Sequence, residues 1–375
     1  MFLFYPDIIF VEESVQHSTL TERICASAPN ATLKIIADVK PFYESIEQQK
    51  QENNRALVLA EQRGPFLRHC PGTQKHLCCL YYNLDIAAGC DLGCTYCFLQ
   101  GYLNIPYFTI YCNLEDLYTE LDQKIIRHPQ RFYRVGSGEL SDSLTFDHLT
   151  ALSSQLVPRF SSIPNAILEL KTKSNCIDGL LDLQHGGRTV ISWSLNSDAG
   201  QHKEEHQAAT INERLFAAKE CSKAGYKIGF HFDPMIYYPG WEDGYREVVD
   251  RLFQLVPSEQ IVWISLGGLR YPASYDDIYR KNHPESDLYL GELLPGIDKK
   301  YRYFKPLRIE MFRKMHSWIR GYAEDVFVYL CMESKEVWEK SFEWSPKSSA
   351  ELKSLLDHQV RDYSSSSRMS INNAG

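Results

Sequence analysis

The sequence has no surplus of basic residues and no long uninterrupted hydrophobic segment. Lys and Arg number 40 against 48 Asp and Glu, which gives a formal net charge of −8 at pH 7. Proteins that coat nucleic acid non-specifically need a cationic surface, so this charge excludes that class, although a local basic cleft stays compatible with it. No window reaches the roughly 18 apolar residues of a membrane span. We therefore expect no membrane association.

The first residues also lack the features of an export signal. MFLFYPDIIFVEESV has no basic start, and Asp7 interrupts its short apolar run, so the segment predicts a β-strand rather than a signal peptide. We therefore expect a cytoplasmic protein. In a reducing compartment, 11 cysteines favour metal or redox chemistry over disulfides. Taken singly, the five that lie outside residues 70–97 are typical of small buried hydrophobic residues: Cys25, Cys112, Cys176, Cys221 and Cys331.

Residues 81–266 repeat a short apolar strand, a polar turn and an amphipathic helix, the pattern of a parallel α/β sheet. Six such units predict a partial (β/α)6 barrel of the TIM type. In these barrels the residues that carry chemistry follow the C-terminal ends of the strands. The predicted strands are 82–87, 131–136, 166–171, 189–194, 227–232 and 261–266, and the predicted helices between them are 114–127, 145–156, 208–224 and 243–255.

The pattern divides the chain into four parts. An N-terminal extension occupies 1–80 and includes a polar helix near 43–55. The barrel occupies 81–270. A C-terminal α/β extension, 271–345, contains a helix near 306–323 and a short strand, VFVYL. The segment 346–375 is predicted to be a polar tail, whose last fifteen residues cannot bury apolar area and should be loose.

The motif CDLGCTYC follows the first predicted barrel strand and spaces Cys90, Cys94 and Cys97 as Cys-x3-Cys-x2-Cys. Three thiolates on one loop can hold three irons of a 4Fe-4S cluster and leave the fourth iron open. That iron can bind S-adenosylmethionine (SAM), whose reductive cleavage gives a 5′-deoxyadenosyl radical, while the protein orients the cofactor. The alternatives are a structural cysteine cluster and a zinc site, which prefers four ligands in a closed tetrahedron.

Together these segments resemble the radical SAM superfamily and, within it, the spore photoproduct lyase family of DNA repair enzymes. The resemblance implies a carbon–carbon lyase with a 4Fe-4S cluster and SAM, acting on a damaged or flipped base in DNA and reduced by a flavodoxin or ferredoxin. It is carried by GCDLGCTYCFLQGYL (89–103), SDSLTFDHLT (141–150), KTKSNCIDGLL (171–181), ISWSLNSD (191–198) and residues 223–246.

The resemblance also implies roles for individual residues. It assigns SAM contacts to Ser141, Lys173, Ser194 and Asn196, makes Glu139 an acceptor for the SAM amino group, and places Tyr96 beside the cluster. The residue types agree, because a lysine can pair with the methionine carboxylate and serines can hydrogen-bond to it or to the ribose. The alternative is that Ser and Asn only cap helices that start after strands.

Two positions depart from the family. The family has a hydrogen-donating cysteine just before the Ser-Asp pair, where this chain has Glu139 and Leu140, and a tyrosine after the third cluster cysteine, where it has Phe98. Neither side chain readily gives up a hydrogen atom, so the reaction on spore photoproduct itself stays open. Residues 70–79 contain three more cysteines, which could bind an accessory metal together with Cys331, or one of these thiols could be a substitute hydrogen donor. The alternative is a Pro-Gly turn with buried cysteines.

Residues 299–320 contain eight Lys or Arg and one acid, interleaved with aromatic residues. Cations track phosphates and rings stack on exposed bases, so we expect substrate contacts from Arg302 and Tyr303, and from Arg270 at the last strand end. A solvated helix face is the alternative. Two other functions also fit the sequence: radical modification of RNA or a small metabolite, and a non-catalytic iron-sulfur protein.

Overall fold

The computed structural model describes residues 3–49, 55–73, 75–103 and 105–372. Its strands are β1 (Ile8–Glu12), β2 (Thr32–Ile36), β3 (Ala56–Ala60), β4 (Leu67–His69), β5 (Tyr82–Leu84), β6 (Ala87–Ala88), β7 (Phe108–Tyr111), β8 (Tyr133–Gly136), β9 (Ala166–Thr172), β10 (Thr189–Ser194), β11 (Lys227–Met235), β12 (Ile261–Gly268), β13 (Arg270–Pro272), β14 (Leu294–Pro295), β15 (Lys300–Arg302) and β16 (Val328–Leu330).

The helices separate these strands along most of the chain. They are α1 (Thr19–Ser27), α2 (Val39–Gln49), α3 (Leu99–Tyr102), α4 (Leu114–Leu121), α5 (Asp147–Thr150), α6 (Leu152–Ser161), α7 (Asp198–Glu204), α8 (Ile211–Lys223), α9 (Trp241–Leu255), α10 (Asp276–Asn282), α11 (Lys305–Tyr322), α12 (Lys335–Phe342) and α13 (Ser349–Asn372). Over the ranges that the structure covers, no helix is both long enough and apolar enough to cross a bilayer.

The six predicted barrel strands lie side by side in one curled sheet, which confirms the partial α/β barrel. The sheet has eight strands in the order β16-β12-β11-β10-β9-β8-β5-β4. All neighbouring pairs are parallel except β4 with β5. The central strands are buried on both faces, as expected of a parallel sheet covered by helices. Their C-terminal ends therefore meet at one edge, where the polar segments predicted to carry chemistry also lie.

The N-terminal part is not a separate extension that ends at residue 80. A second, five-stranded sheet has the order β2-β1-β3-β7-β6, so the N-terminal strands pair with β7, which follows the cysteine motif. Conversely, β4 belongs to the barrel sheet. The predicted boundary at residue 80 is thus crossed in both directions. Strand β7 was missed because its four residues, FTIY, are too short an apolar run to be assigned from periodicity alone.

The predicted helices differ from the structure mainly at their ends. The capping box of Thr210 with Glu213 starts α8. Helix 145–156 is divided in two, because Ala151 has a left-handed φ of 46°. Helix 43–55 begins earlier, at Val39, and residues 50–54 lie outside the described ranges.

The prediction of a polar tail over 346–375 is wrong for its first half. Residues from Ser349 form α13, in which Leu352, Leu356 and Val360 are buried against the domain. Asp357 on the same helix accepts a hydrogen bond of 2.9 Å from Arg134 of β8. The backbone stays helical to Asn372, where a loose segment was expected. The i, i+4, i+8 spacing of these apolar residues was the signal that the polar composition obscured.

Candidate active site

The three cysteines of the motif lie on one loop, residues 89–103, which we call the cluster loop. It leaves β6 through Gly89, whose φ is 89° and where a Cβ would lie only 3.0 Å from the ring of Phe108. Glycine is therefore required both by the left-handed backbone and by the close approach. The Thr145 hydroxyl donates a 2.6 Å hydrogen bond to Asp91 and holds the loop to the turn after β8.

All three cysteines open on a cavity of about 490 Å³ at the C-terminal edge of the barrel sheet. The cavity is where the strand ends bring together most of the residues predicted from the sequence. Of the predicted cofactor-binding residues, it is lined by Glu139, Ser141, Lys173 and Ser194; Tyr96, Arg270 and Cys331 line it as well.

The cysteines suit a cluster better than a single zinc ion. Their sulfurs are not all within 4.8 Å of one another, as the ligands of one ion would be, and no residue completes a group of that kind with them in the described ranges. Burial raises the pKa of Cys94 to about 12 and raises that of Cys90 and Cys97. Such thiols ionise only beside a cation, and three of them on one loop match a cubane with one open iron.

Two polar groups in the cavity have no protein partner among the described residues. The hydroxyl of Ser141 is buried, at 6% exposure, and neither donates nor accepts a hydrogen bond; one carboxylate oxygen of Glu139 is in the same state. Burial also raises the pKa of Glu139. Buried polar atoms are nearly always paired, so these two atoms indicate a polar ligand in the cavity.

Lys173 and Tyr96 are held in a fixed arrangement beside the cysteines. The Lys173 ammonium lies 5.6 Å from the centre of the Tyr96 ring, and in the described residues no carboxylate is within ion-pair distance of it. The Tyr96 hydroxyl donates to Glu205, which forms an ion pair with Arg214. Both members of that pair are at most 1% exposed. Sequence reasoning missed Glu205 and Arg214. Glu205 precedes α8 and Arg214 lies in its first turn, and neither residue follows the end of a strand.

Asp142 links the strand ends around the cavity and was also missed. Its carboxylate accepts hydrogen bonds from the backbone of Leu144, Thr145 and Lys173 and from the Thr172 hydroxyl, at 2.7 to 3.0 Å. It therefore ties the turn after β8 to the end of β9 and positions Lys173. Its place directly after Ser141 in the Ser-Asp pair was the available signal.

Asn196 is not brought to the cavity. Its side chain is fully buried, accepts a 2.6 Å hydrogen bond from Tyr245 and accepts another from the backbone of Ser197. This is a capping and packing arrangement at the start of α7, the alternative that the sequence left open for residues of this type.

The predicted substrate-binding residues behave differently from one another. Arg270 lines the cavity, but Asp233 pairs with it through two hydrogen bonds of 2.8 Å. Arg302 is 3% exposed and pairs with Asp298, and the buried Tyr303 hydroxyl accepts from the backbone of Tyr237. Neither Arg302 nor Tyr303 lines the cavity.

Four of the eight cations of residues 299–320 form ion pairs with acids, including three of the five in α11, so the alternative of a structural, partly solvated helix describes α11 better than a nucleic-acid surface. Arg308 pairs with the buried Glu333, Lys305 with Glu336, and Lys314 with Glu242. Lys300 of this segment lines the cavity. Lys171 and Arg134 add further cationic side chains to its wall.

A hydrogen-bonded histidine forms part of the cavity wall inside the barrel. Nε2 of His231 lies 2.8 Å from Glu169, and Nδ1 lies 2.6 Å from the Ser265 hydroxyl. Burial alone would raise the pKa of Glu169, but the His231 charge and hydrogen bonds from His231 and Ser192 lower it to about 2. The HFDP segment at a strand end was the signal for His231.

Four further cysteines share this cavity. Cys70, Cys78, Cys79 and Cys331 all line it. Cys78 accepts a 3.3 Å hydrogen bond from the backbone of Thr73, as expected of a tight turn. Cys331 follows β16, with its sulfur 3.5 Å from a guanidinium nitrogen of Arg270 and its thiol donating to Asp233. Burial raises the pKa of Cys331 well above its usual range, so the thiol keeps its hydrogen.

These features define the radical SAM class of partial TIM barrels. The curled parallel sheet carries a three-cysteine loop at its C-terminal edge. The same edge has a lysine that no described carboxylate pairs with and polar groups without a partner. A family model described as spore photoproduct lyase matches residues 4–309. The chain belongs to the spore photoproduct lyase family.

Individual relatives agree with this assignment. The chain is 30% identical over 214 residues to the spore photoproduct lyase of Bacillus subtilis and 28% identical over 257 residues to that of a Geobacillus strain. The matches span 63% and 70% of those two proteins, and 56% and 68% of this chain. A solved structure of spore photoproduct lyase complexed with dinucleoside spore photoproduct superposes with a TM-score of 0.76 at 22% identity, covering 87% of this chain and 98% of that one. This last likeness confirms the fold.

Proposed function

We propose that this chain is a radical SAM carbon–carbon lyase that cleaves a spore-photoproduct-type lesion in DNA. One observation carries the proposal: the three cluster cysteines, Lys173, Ser141 and Glu139 all line one cavity. No described carboxylate lies within ion-pair distance of Lys173. The Ser141 hydroxyl and one Glu139 oxygen have no hydrogen-bond partner. A sensor or structural iron-sulfur protein has no need of those last three groups. Membership of the family and the dinucleoside lesion bound by a structural neighbour support the choice of substrate.

In this proposal Cys90, Cys94 and Cys97 hold a 4Fe-4S cluster. When bound, the cluster and SAM supply a 5′-deoxyadenosyl radical that abstracts a hydrogen atom from the substrate. Lys173 pairs with the methionine carboxylate, because no described carboxylate lies within ion-pair distance of its ammonium and the bound carboxylate needs a buried counter-charge. Glu139 accepts from the amino group.

Two hydroxyl-bearing side chains complete the SAM pocket. Ser141 donates to the carboxylate or the ribose, which satisfies its orphaned hydroxyl, and Ser194 contributes from the end of β10. Tyr96 orients Lys173 through its ring face, since its own hydroxyl is committed to Glu205. We assign Asn196 no contact with SAM.

Cys331 is the hydrogen-atom donor in this proposal. Its thiol lies in the wall of the same cavity and stays protonated. In the transfer, the S–H bond breaks, a C–H bond forms on the product radical, and the sulfur keeps the unpaired electron. One electron from a reduced flavodoxin or ferredoxin and one proton restore the thiol, so at least one SAM is consumed per lesion if the radical is not returned.

Cys331→Ala tests this role, and Cys112→Ala is the matched control. Cys112 is buried beside the five-stranded sheet and is not part of the cavity wall. We expect wild type and C112A to transfer deuterium from D2O-exchanged thiol into the repaired base. C331A should still cleave SAM but give products that lack this deuterium. Equal deuterium transfer in C331A would assign the role to another group.

The lesion is expected to enter as a short, exposed segment rather than as an extended duplex. The cations near the reacting groups include Lys171, Lys300 and the Asp233-paired Arg270, whereas three of the five cations of the basic helix α11 pair with acids. The same observation favours the second candidate, a modified base in RNA or a small metabolite. A salt series distinguishes a nucleic acid from a small metabolite, because each phosphate contact steepens the salt dependence of binding.

The experiment that tests the function is anaerobic turnover of the reconstituted protein with SAM, reductant and ultraviolet-irradiated DNA. Mass spectrometry should find repaired thymine, accompanied by 5′-deoxyadenosine where SAM is consumed, and a Cys94→Ala variant should give neither product. A fully loaded protein that cleaves SAM but leaves every irradiated DNA unchanged would refute the repair reaction and favour the second candidate. We place the reaction in the cytoplasm, where flavodoxin and ferredoxin are available.

A further inference from the structure

Outside the cavity, His206, His283 and Glu285 form a compact group on the outer side of the cluster loop. One possible ligand atom from each lies within 4.8 Å of the other two, and no other three His, Cys, Asp or Glu side chains do so in the ranges that the structure covers. His206 follows α7, whereas the other two follow α10. None of the three lines the cavity, and no role assigned above uses them.

The hydrogen bonds around Gln100 define which nitrogen of His283 carries its proton. The Gln100 amide nitrogen donates to the carbonyls of Cys94 and Thr95, both at 3.1 Å, which fixes the orientation of the amide. Its oxygen therefore faces Nε2 of His283 at 2.9 Å. An amide oxygen only accepts, so Nε2 is the protonated nitrogen and Nδ1 of the neutral ring has a lone pair.

That lone pair faces another acceptor. Nδ1 of His283 lies 3.8 Å from a carboxylate oxygen of Glu285. The second ring, His206, lies beside the first with 6.3 Å between ring centres, and its Nε2 contacts the Thr95 hydroxyl at 3.3 Å. With a neutral ring, the Nδ1 lone pair and the carboxylate can share a bound cation. The group thus has the electrostatics of a cation site.

The ligand set matches a divalent transition-metal ion. Two imidazoles and one carboxylate bind Zn²⁺ and its neighbours, with water in the open positions. Ligands of one zinc ion lie at most about 4.2 Å apart, twice a bond of about 2.1 Å, so side-chain movements of about 1 Å complete the site. In protein metal sites, the remaining ring N–H of each histidine commonly donates to an oxygen. Here Gln100 and Thr95 already provide those oxygens.

We propose that His206, His283 and Glu285 bind a divalent first-row transition ion such as Zn²⁺. The ion ties the segments after α7 and α10 to the cluster loop, because both histidines contact that loop through Thr95 and Gln100. Gln100 in turn holds the backbone of Cys94. The site therefore braces the loop that carries the cluster cysteines from its outer side. It does not depend on the reaction proposed above.

The test is zinc binding to the full chain with its iron-sulfur cluster loaded, followed under anaerobic conditions by competition with a zinc-chelating dye. The variants are His283→Ala and Glu285→Gln. His202→Ala is the matched control, since His202 is an exposed histidine of α7 outside the group. Zinc bound by other cysteines is the same in all four proteins, so the differences report on this site alone.

We expect wild type and H202A to bind one zinc more per chain than H283A. E285Q should weaken that zinc at least about tenfold, since losing even a hydrogen-bond partner of a ligand has that effect. Glu285 is exposed, so E285Q folds normally and keeps the test valid if H283A is unstable. Equal stoichiometry and equal affinity in all four proteins would overturn the proposal, as would an affinity that E285Q leaves unchanged.

Discussion

Replacing Glu205 with glutamine should destabilise the protein strongly and release Tyr96. The Glu205 carboxylate accepts from the Tyr96 hydroxyl and pairs with Arg214, and the Arg214 side chain is 0% exposed. Arg214 also donates to the carbonyls of Ala209 and Ser194, so it cannot leave for solvent. The amide of the introduced glutamine would keep the shape of the carboxylate and remove its charge. The variant therefore leaves a buried guanidinium without a counter-charge.

Breaking a buried ion pair by removing one partner costs about 3–5 kcal/mol. We expect E205Q to lose about that much unfolding free energy at pH 7, measured by urea denaturation with tryptophan fluorescence. Glu336→Gln is the control, because Glu336 forms ion pairs with Lys305 and Lys340 at an exposed site. Exposed pairs contribute little, so its midpoint should not change measurably.

A double variant sharpens the argument. Removing both members of a buried pair costs less than removing one, so Glu205→Gln with Arg214→Met should be more stable than E205Q alone. A loss below about 1 kcal/mol in E205Q, or a double variant less stable than E205Q, would refute the view that this pair holds Tyr96 and Lys173 in place.

Two other predictions concern the cavity. Lys173→Met should weaken SAM binding by about 2 kcal/mol, roughly 30-fold, because a charged hydrogen bond to the methionine carboxylate is lost; equilibrium dialysis of the cluster-loaded protein measures it. Glu169→Gln should cost about 3 kcal/mol at pH 7, since His231 and Ser192 lower the Glu169 pKa from 4.5 to about 2. A carboxyl with a lowered pKa stabilises the fold above its unfolded pKa, so the difference from wild type should shrink as the pH falls from 4.5 toward 2; urea unfolding between pH 7 and 3.5 follows it.

Each of these has a clear contrary result. Unchanged SAM affinity in K173M would remove the carboxylate contact and leave Lys173 as a neighbour of Tyr96 only. A stability difference between wild type and E169Q that grows as the pH falls would mean that the Glu169 carboxylate is destabilising in the folded state.

Local patterns were sufficient for the barrel and for the cluster loop. Strands such as β10 and β12 are continuous apolar runs, because a parallel sheet buries both faces, and the polar residues that follow them are therefore visible in the sequence. Cys90, Cys94 and Cys97 lie close together in sequence, so their spacing alone predicts a shared metal centre. Lys173 and Ser141 follow directly after strand ends and turns of the same sheet.

Long-range pairing accounts for what the sequence did not reveal. A lysine or arginine in a basic run appears available until its acid is placed beside it, and the acid of Arg308, Glu333, is 25 residues away. Arg270 and Asp233, which also form an ion pair, are 37 residues apart in the sequence. The Glu205–Arg214 pair and the contact of His283 with Gln100 also depend on segments that only the fold brings together. Apolar residues in α13 were obscured by the polar composition around them.

The central claim is that one cavity binds the cluster, SAM and the lesion. The most direct measurement is an anaerobic reaction of the reconstituted protein with SAM, reductant and dinucleoside spore photoproduct, in which SAM cleavage and thymine release are followed together. The proposal predicts thymine release that requires SAM and disappears in Cys94→Ala, whereas Cys331→Ala still cleaves SAM but gives products without deuterium from the exchanged thiol. Thymine release without SAM, or SAM cleavage by a fully loaded protein with no lesion consumed, would contradict it.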